Sequence, residues 1–340
     1  MLGNEAIVRG ALEAGAQFVS TYPGTPASEI GLIFSQLAKD NNNLYCEFST
    51  NEKTALEASI GASMAGLKCL VAMKSFGMNV ALESLIPFGY TGCRGPTVII
   101  VADDPSCHSS AQSEENSRGF AYLTHLPFLE PADSQECLDF VKLGFELSAK
   151  FNLPAVIRTT TRVAHQKAPV VMGQLNPSQK AKADFVKDKH RFVTIPPRVM
   201  EMHKELLDKA VKIKEWAQQS DINRLSMPPA PKTPRIGIIS SGVAYLHVME
   251  ALQMLKKDLP VLKLGFFYPL AEQMINDFIA PLKKILVVEE LDPYLQKEVA
   301  ALAESVNHKL QIFGKDLLPE TGELKPEQVA QAIASIVGKK

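Results

Sequence analysis

Residues 51–66, NEKTALEASIGASMAG, decide how this chain folds. They read as one helix. Asn51 stands where an N-cap side chain accepts a backbone N–H of the first turn. Glu52 follows in that turn, where the helix dipole favours a carboxylate. Beyond Leu56 the side chains become small: Ala58, Ser59, Gly61, Ala62, Ser63, Ala65 and Gly66. Two internal glycines cost about 1 kcal/mol each against alanine. Close approach of another backbone, or of a flat ring, is the gain expected to offset that cost.

Working outward, the chain alternates. A helix is expected at 3–15 and a short strand at 18–22. Pro23-Gly24-Thr25-Pro26 then forces a turn, because proline fixes φ and restrains the residue before it. A helix at 27–39 and a strand at 44–48 lead into the 51–66 helix. After it come a strand at 68–73 ending in Lys-Ser-Phe-Gly, a helix at 78–88, and a strand at 97–102. The last is a near-continuous apolar run, the mark of a strand buried on both faces. A polar loop, 103–115, precedes a helix at 134–150 and a strand at 155–158. Such alternation predicts an α/β fold with a doubly wound parallel sheet. Residues 166–234 are rich in Lys and Pro and read as a connector that wraps the first domain, with one helix at 197–219. A second alternating unit follows, with strands at 235–240, 261–266, 285–289 and 309–313 and helices at 243–256, 271–280, 294–306 and 326–337. It reads as a smaller α/β domain.

Composition narrows the class. The 340 residues are 46% hydrophobic and carry a formal net charge of -1, so no basic excess exists to hold a nucleic-acid backbone. Glu5, Arg9 and Glu13 interrupt the apolar run that a secretory signal needs. No stretch reaches the roughly 20 apolar residues of a membrane span. The five cysteines, Cys46, Cys69, Cys93, Cys107 and Cys137, form no CxxC pair. A zinc or iron-sulfur site held by this chain alone is not expected, and a reducing, cytoplasmic setting is.

In open α/β sheets, ligands bind beyond the carboxyl ends of the strands. That rule selects residues 22–26, 74–79, 103–112 and the loop before Glu52, which together would line one crevice. Glu52 has two readings. It is either a first-turn acid that complements the dipole, or a buried carboxylate sharing a proton with a ring nitrogen of a cofactor. Glu57, one turn along, is the competing acid and is expected on a solvated face. Thr25 can offer a hydroxyl and an N–H to an anion. Lys74 is a strand-end cation, solvated or in a site; His108 is a loop histidine beside Ser109 and Ser110. No acid pattern beside His108 suggests a hydrolytic triad, and His125 and His247 are expected to be structural. There is no GxGxxG after a strand and no P-loop.

At these motifs the sequence resembles a known family. YPGTP at 22–26, NEKTALEASIGASMAG at 51–66, VAMKSFGMNVA at 71–81 and VIIVADDPSCHSS at 98–110 look like the 2-oxoacid:ferredoxin oxidoreductases. GIISSGVAY at 237–245, VLKLGFFYPL at 261–270, VVEELDPYL at 287–295 and GKDLLPETGEL at 314–324 agree. The likeness is strongest to the front half of the alpha subunit in the indolepyruvate branch.

The resemblance implies a thiamine-diphosphate-enzyme pyrimidine-binding domain at 1–165, the connector at 166–234, and a transketolase C-terminal-like domain at 235–340. Glu52 matches the glutamate that contacts the aminopyrimidine ring, and Thr25 the threonine near the substrate carboxylate. Gly24, Thr25, Ser75, Gly77 and Asn79 join Glu52 around the cofactor, and Thr25, Lys74, Asp104, His108 and Ser109 line the substrate. The implied reaction is oxidative decarboxylation of an aryl 2-oxoacid to an acyl-CoA, with coenzyme A as co-substrate and ferredoxin-like iron-sulfur clusters as acceptor. The chain has no Asp-Gly dipeptide, so the Gly-Asp-Gly turn that grips Mg2+ and the diphosphate is expected on a partner subunit. A gamma-type subunit and an iron-sulfur subunit carrying [4Fe-4S] clusters are the other expected partners, and alone the chain should not catalyse. Two positions set the substrate expectation. Asp103-Asp104-Pro105 stands where pyruvate-using members have an arginine, and Ser75 stands where the arylpyruvate branch has a histidine. Phenylglyoxylate, a branched-chain 2-oxoacid or pyruvate are the alternative substrates, and a non-catalytic scaffold subunit is the alternative role.

Overall fold

The computed structural model describes residues 1–109, 113–175, 183–227 and 235–337. Its strands, in chain order, are β1 (Phe18–Thr21), β2 (Tyr45–Phe48), β3 (Cys69–Lys74), β4 (Thr97–Asp103), β5 (Phe128–Leu129), β6 (Ala155–Thr160), β7 (Arg224–Ser226), β8 (Ile236–Ser241), β9 (Val261–Leu264), β10 (Phe266–Tyr268), β11 (Lys284–Val288) and β12 (Gln311–Phe313). They form a seven-stranded sheet, β10-β5-β6-β4-β3-β1-β2, and a five-stranded sheet, β12-β11-β8-β9-β7. Every pairing is parallel except β10 with β5 and β7 with β9. The three strands β3, β4 and β6 are buried at every residue, as the apolar runs of β3 and β4 demand of a sheet covered on both faces. The expected α/β class with a parallel sheet is what the chain adopts.

Local differences from the expectation have physical reasons. The helix after β3 starts at once, Ser75–Thr91, with Lys74 as its N-cap residue. The run expected as one strand at 261–266 divides at Gly265 between the two sheets. A Cβ there would lie 2.7 Å from the Ile222 carbonyl, and Asn223 Oδ1 accepts both the Gly265 and Phe266 N–H groups at 2.8 and 3.1 Å. The second unit thus lends its edge strand β10 to the first sheet. The pivotal helix runs Glu52–Met64, with Asn51 accepting from the Thr54 N–H at 2.8 Å. Gly66, at φ +89, lies past its end. Close packing occurs at Ser59, whose hydroxyl meets Ser20 at 2.7 Å, and at Ser63, bonded to the Gly95 carbonyl at 2.6 Å. Gly61 does not share in it: a Cβ there would meet nothing within 4 Å.

Within 166–234, the chain first runs against the N-terminus, where the Met1 ammonium donates to the Ala168 carbonyl at 2.8 Å. The helix Arg198–Gln218 then buries Met202, Leu206, Ile213 and Ala217, and β7 closes the edge of the second sheet. Among the described residues, no helix is long and apolar enough to cross a membrane.

The two sheets meet at the carboxyl ends of their strands. In the second sheet the strand order reverses between β8 and β11, the place where an α/β sheet ordinarily holds a ligand. Here the first domain fills that crevice with Arg118. Its Nη2 donates to Ser241 Oγ at 2.7 Å and its Nη1 to Glu289 at 2.8 Å. The same guanidinium grips Glu130 through Nε and Nη2 at 2.7 and 2.6 Å. Arg158 adds bonds to Asp103 and Glu130 at 2.7 and 3.2 Å. Burial opposes ionisation of Glu130, but Arg118 and Arg158 outweigh it and hold the carboxyl down to about 2. Removing one member of such a buried array leaves an uncompensated charge, at a cost of roughly 3–5 kcal/mol.

Candidate functional site at the strand ends of the large sheet

The loops after β1 and β4 and the starts of the helices Glu52–Met64 and Ser75–Thr91 converge. Glu52 is 5% exposed. Among the described residues, nothing donates a hydrogen bond to its carboxylate. The side chain lies across Gly77, in the first turn of the helix Ser75–Thr91. A Cβ at Gly77 would fall 2.5 Å from Glu52 Cγ and 2.6 Å from Oε1, far inside van der Waals contact. Gly77 is therefore a cradle for the carboxylate. Gly24, in the loop after β1, lets that loop pack on Lys74: a Cβ there would lie 2.9 Å from Lys74 Cβ.

Lys74 and Asp104 form the charged floor. Each is 1% exposed, and Lys74 Nζ lies 3.0 Å from Asp104 Oδ2. The same oxygen accepts from the Ser109 N–H at 3.0 Å and the Ser109 hydroxyl at 2.7 Å. Asp104 Oδ1 accepts from Thr161 Oγ1 at 2.6 Å. Burial alone would raise this carboxyl. The hydrogen bonds from Thr161, Ser109 and Lys74 outweigh it and hold Asp104 well below the usual carboxylate range. Ser109 Oγ also lies 3.1 Å from the Thr25 carbonyl, and so ties the β4 loop to the β1 loop.

Other expected residues fall at different distances from this centre. Ser75 is buried as the first residue of its helix. Asn79 is exposed one turn on and donates to Glu115 at 3.0 Å. His108 points outward, its ring half-exposed and its Nε2 3.7 Å from Glu323. Ser110 lies outside the described residues. Glu57 is exposed and accepts from Ser84 at 2.7 Å. His247 is buried with its Nε2 unpartnered among the described residues, and burial lowers its pKa to about 4. His125 Nδ1 lies 3.1 Å from the Tyr268 hydroxyl.

The sequence reading passed over Thr161, Arg118 and Arg158. One signal was available. Successive residues of a strand point to opposite faces, so the side chains of Asp103 and Asp104 had to turn to different cations. Asp103 turns to Arg158 and Asp104 to Lys74. A cleft of about 940 Å³ also exists, lined by Met249, Gln253, Lys256 and Leu259, but it lies at the start of β9, the opposite end of the strands from these loops.

Glu52, with no donor among the described residues, thus lies beside a residue without a side chain. The chain belongs to the family described as "Pyruvate flavodoxin/ferredoxin oxidoreductase, thiamine diP-bdg", whose sequence model matches residues 9–227. Residues 229–340 match the "Indolepyruvate oxidoreductase domain". Among curated relatives, the indolepyruvate oxidoreductase subunit IorA of Methanothermobacter thermautotrophicus is 42% identical over 99% of this chain and 54% of its own length. IorA of Pyrococcus abyssi is 39% identical over 99% of this chain and 52% of its own length. The chain thus spans about half the length of these relatives. The 2-oxoglutarate synthase subunit KorA of Archaeoglobus fulgidus is 24% identical over 94% of this chain and 95% of its own length. Among solved structures, a 2-oxoglutarate:ferredoxin oxidoreductase from Magnetococcus marinus shares the fold. Its TM-score is 0.74 at 17% identity, over 99% of this chain and 65% of that one.

Proposed function

We propose that this chain is the pyrimidine-side subunit of a thiamine diphosphate-dependent 2-oxoacid:acceptor oxidoreductase acting on an aryl 2-oxoacid of the indolepyruvate type. The observation that carries the reading is the buried Glu52 carboxylate, which lies over Gly77 with no donor among the described residues. When bound, thiamine diphosphate supplies the carbon nucleophile and electron sink that 2-oxoacid decarboxylation needs. Glu52 holds a proton at the pyrimidine ring nitrogen, Gly77 and Gly24 keep the approach open, and Ser75, Asn79 and Thr25 line the ring's surroundings.

Lys74, Thr25 and Ser109 form the substrate side, and His108, turned outward to Glu323, stands at its rim. Asp104 has both oxygens engaged, so it acts there by orienting Lys74 and Ser109. A substrate carboxylate therefore meets Lys74 as half of an ion pair, with the Ser109 hydroxyl beside it. The absence of an arginine at 103–104 and the names of the IorA relatives support an aryl substrate over pyruvate. Partner subunits would supply the diphosphate and Mg2+ grip, a gamma-type unit and [4Fe-4S] clusters, with coenzyme A as acyl acceptor.

The test is Glu52→Gln in the complete assembly, with thiamine diphosphate, coenzyme A and a low-potential dye as acceptor. Turnover of phenylpyruvate should fall at least 100-fold while the assembly elutes unchanged, since a lost proton-transfer group typically costs 10²–10⁴. Full turnover in the variant would leave the chain a scaffold.

A further inference from the structure

The turn after β4 is held in part from the second domain. Ser106 and Cys107 both sit in the left-handed region, at φ +68 and +50. Two adjacent non-glycine residues adopt that conformation only where the surroundings fix them. Inside the first domain, the Cys107 N–H donates to the Asp104 carbonyl at 2.9 Å. The remaining restraints on Ser106 involve Glu114 and the second domain. Glu114 Oε1 accepts the Ser106 N–H at 2.6 Å and the Gly322 N–H at 2.7 Å. The Glu323 N–H donates to Ser106 Oγ at 2.7 Å. Glu323 also pairs with Arg162, the residue after Thr161, and its other oxygen faces His108. Gly322, at φ +79, makes the approach possible: a Cβ there would lie 3.1 Å from Ser106 Oγ.

We propose that the second domain sets substrate affinity by holding the turn 104–109 through Glu114, whose single oxygen joins the backbone of Ser106 to that of Gly322. The inference rests on the functional reading above, because the groups this turn presents are Ser109 and His108 and the ends of the Asp104–Lys74 pair. Glu114 touches none of the reacting groups and is a positioning residue. The crevice between β8 and β11 is already filled by Arg118. The second domain therefore contributes at this junction by restraint, not by a ligand of its own.

Two variants and two measurements test this. In the assembly, Glu114→Ala should raise KM for phenylpyruvate about tenfold and leave kcat within twofold. In the full chain alone, amide hydrogen exchange across 104–109 should quicken at least tenfold. Glu114→Gln keeps a carbonyl oxygen for both N–H groups and should restore both values. A merely structural role would lower the active fraction, and with it kcat, at an unchanged KM. An unchanged KM in Glu114→Ala, or a Gln variant as impaired as the Ala variant, overturns the proposal. An assembly that turns over no 2-oxoacid would instead sink the functional reading. The exchange measurement would still decide whether Glu114 holds the turn.

Discussion

Asp104→Asn isolates the charge at the floor of the site. The amide oxygen can take the place of Oδ2 and keep the bonds from Ser109 and Lys74, and the amide nitrogen can donate to Thr161 Oγ1. Shape is kept and one negative charge is lost. Lys74, at 1% exposure, is then a buried ammonium without a counter-ion. Losing one partner of a buried pair costs roughly 3–5 kcal/mol. Urea titrations at pH 7, followed by circular dichroism and by Trp216 fluorescence, measure it. A deficit under about 1 kcal/mol would refute the desolvated ion pair.

Two further outcomes follow from the geometry. Gly77→Ala places a methyl inside the volume of the Glu52 side chain. It should cost about 1–3 kcal/mol by overpacking and weaken thiamine diphosphate binding to the assembly at least tenfold, read by calorimetry. Glu290 is pushed by burial up to about 6 from 4.5, so the folded chain binds the extra proton between those values. Its cost, about 2 kcal/mol, is fully present above pH 6 and vanishes below pH 4.5. Glu290→Gln keeps the oxygen that accepts the Leu324 N–H and should stabilise the chain by up to that amount at pH 7 and by nothing at pH 4, in urea titrations at the two pH values.

Much of this protein is legible in its sequence, for local reasons. Apolar runs within 68–73 and 97–102 had to become strands covered on both faces. Asn51 had to cap a helix, and proline and glycine had to turn the chain at 23–26. Alternation of strand and helix then fixed a parallel sheet. The positions of Glu52, Thr25 and Lys74 followed, since strand carboxyl ends gather on one edge.

What the sequence could not specify is which groups meet across long separations. That Lys74 is paired with Asp104, Thr161 with Asp104, and Arg118 with Glu289 depends on strand order, which no local pattern encodes. The move of the chain from β9 to β10 at Gly265, and the grip of residues 322 and 323 on Ser106, depend on how two domains dock. Local propensity acts over a few residues, and those contacts join positions from 30 to more than 200 apart, so packing alone could settle them.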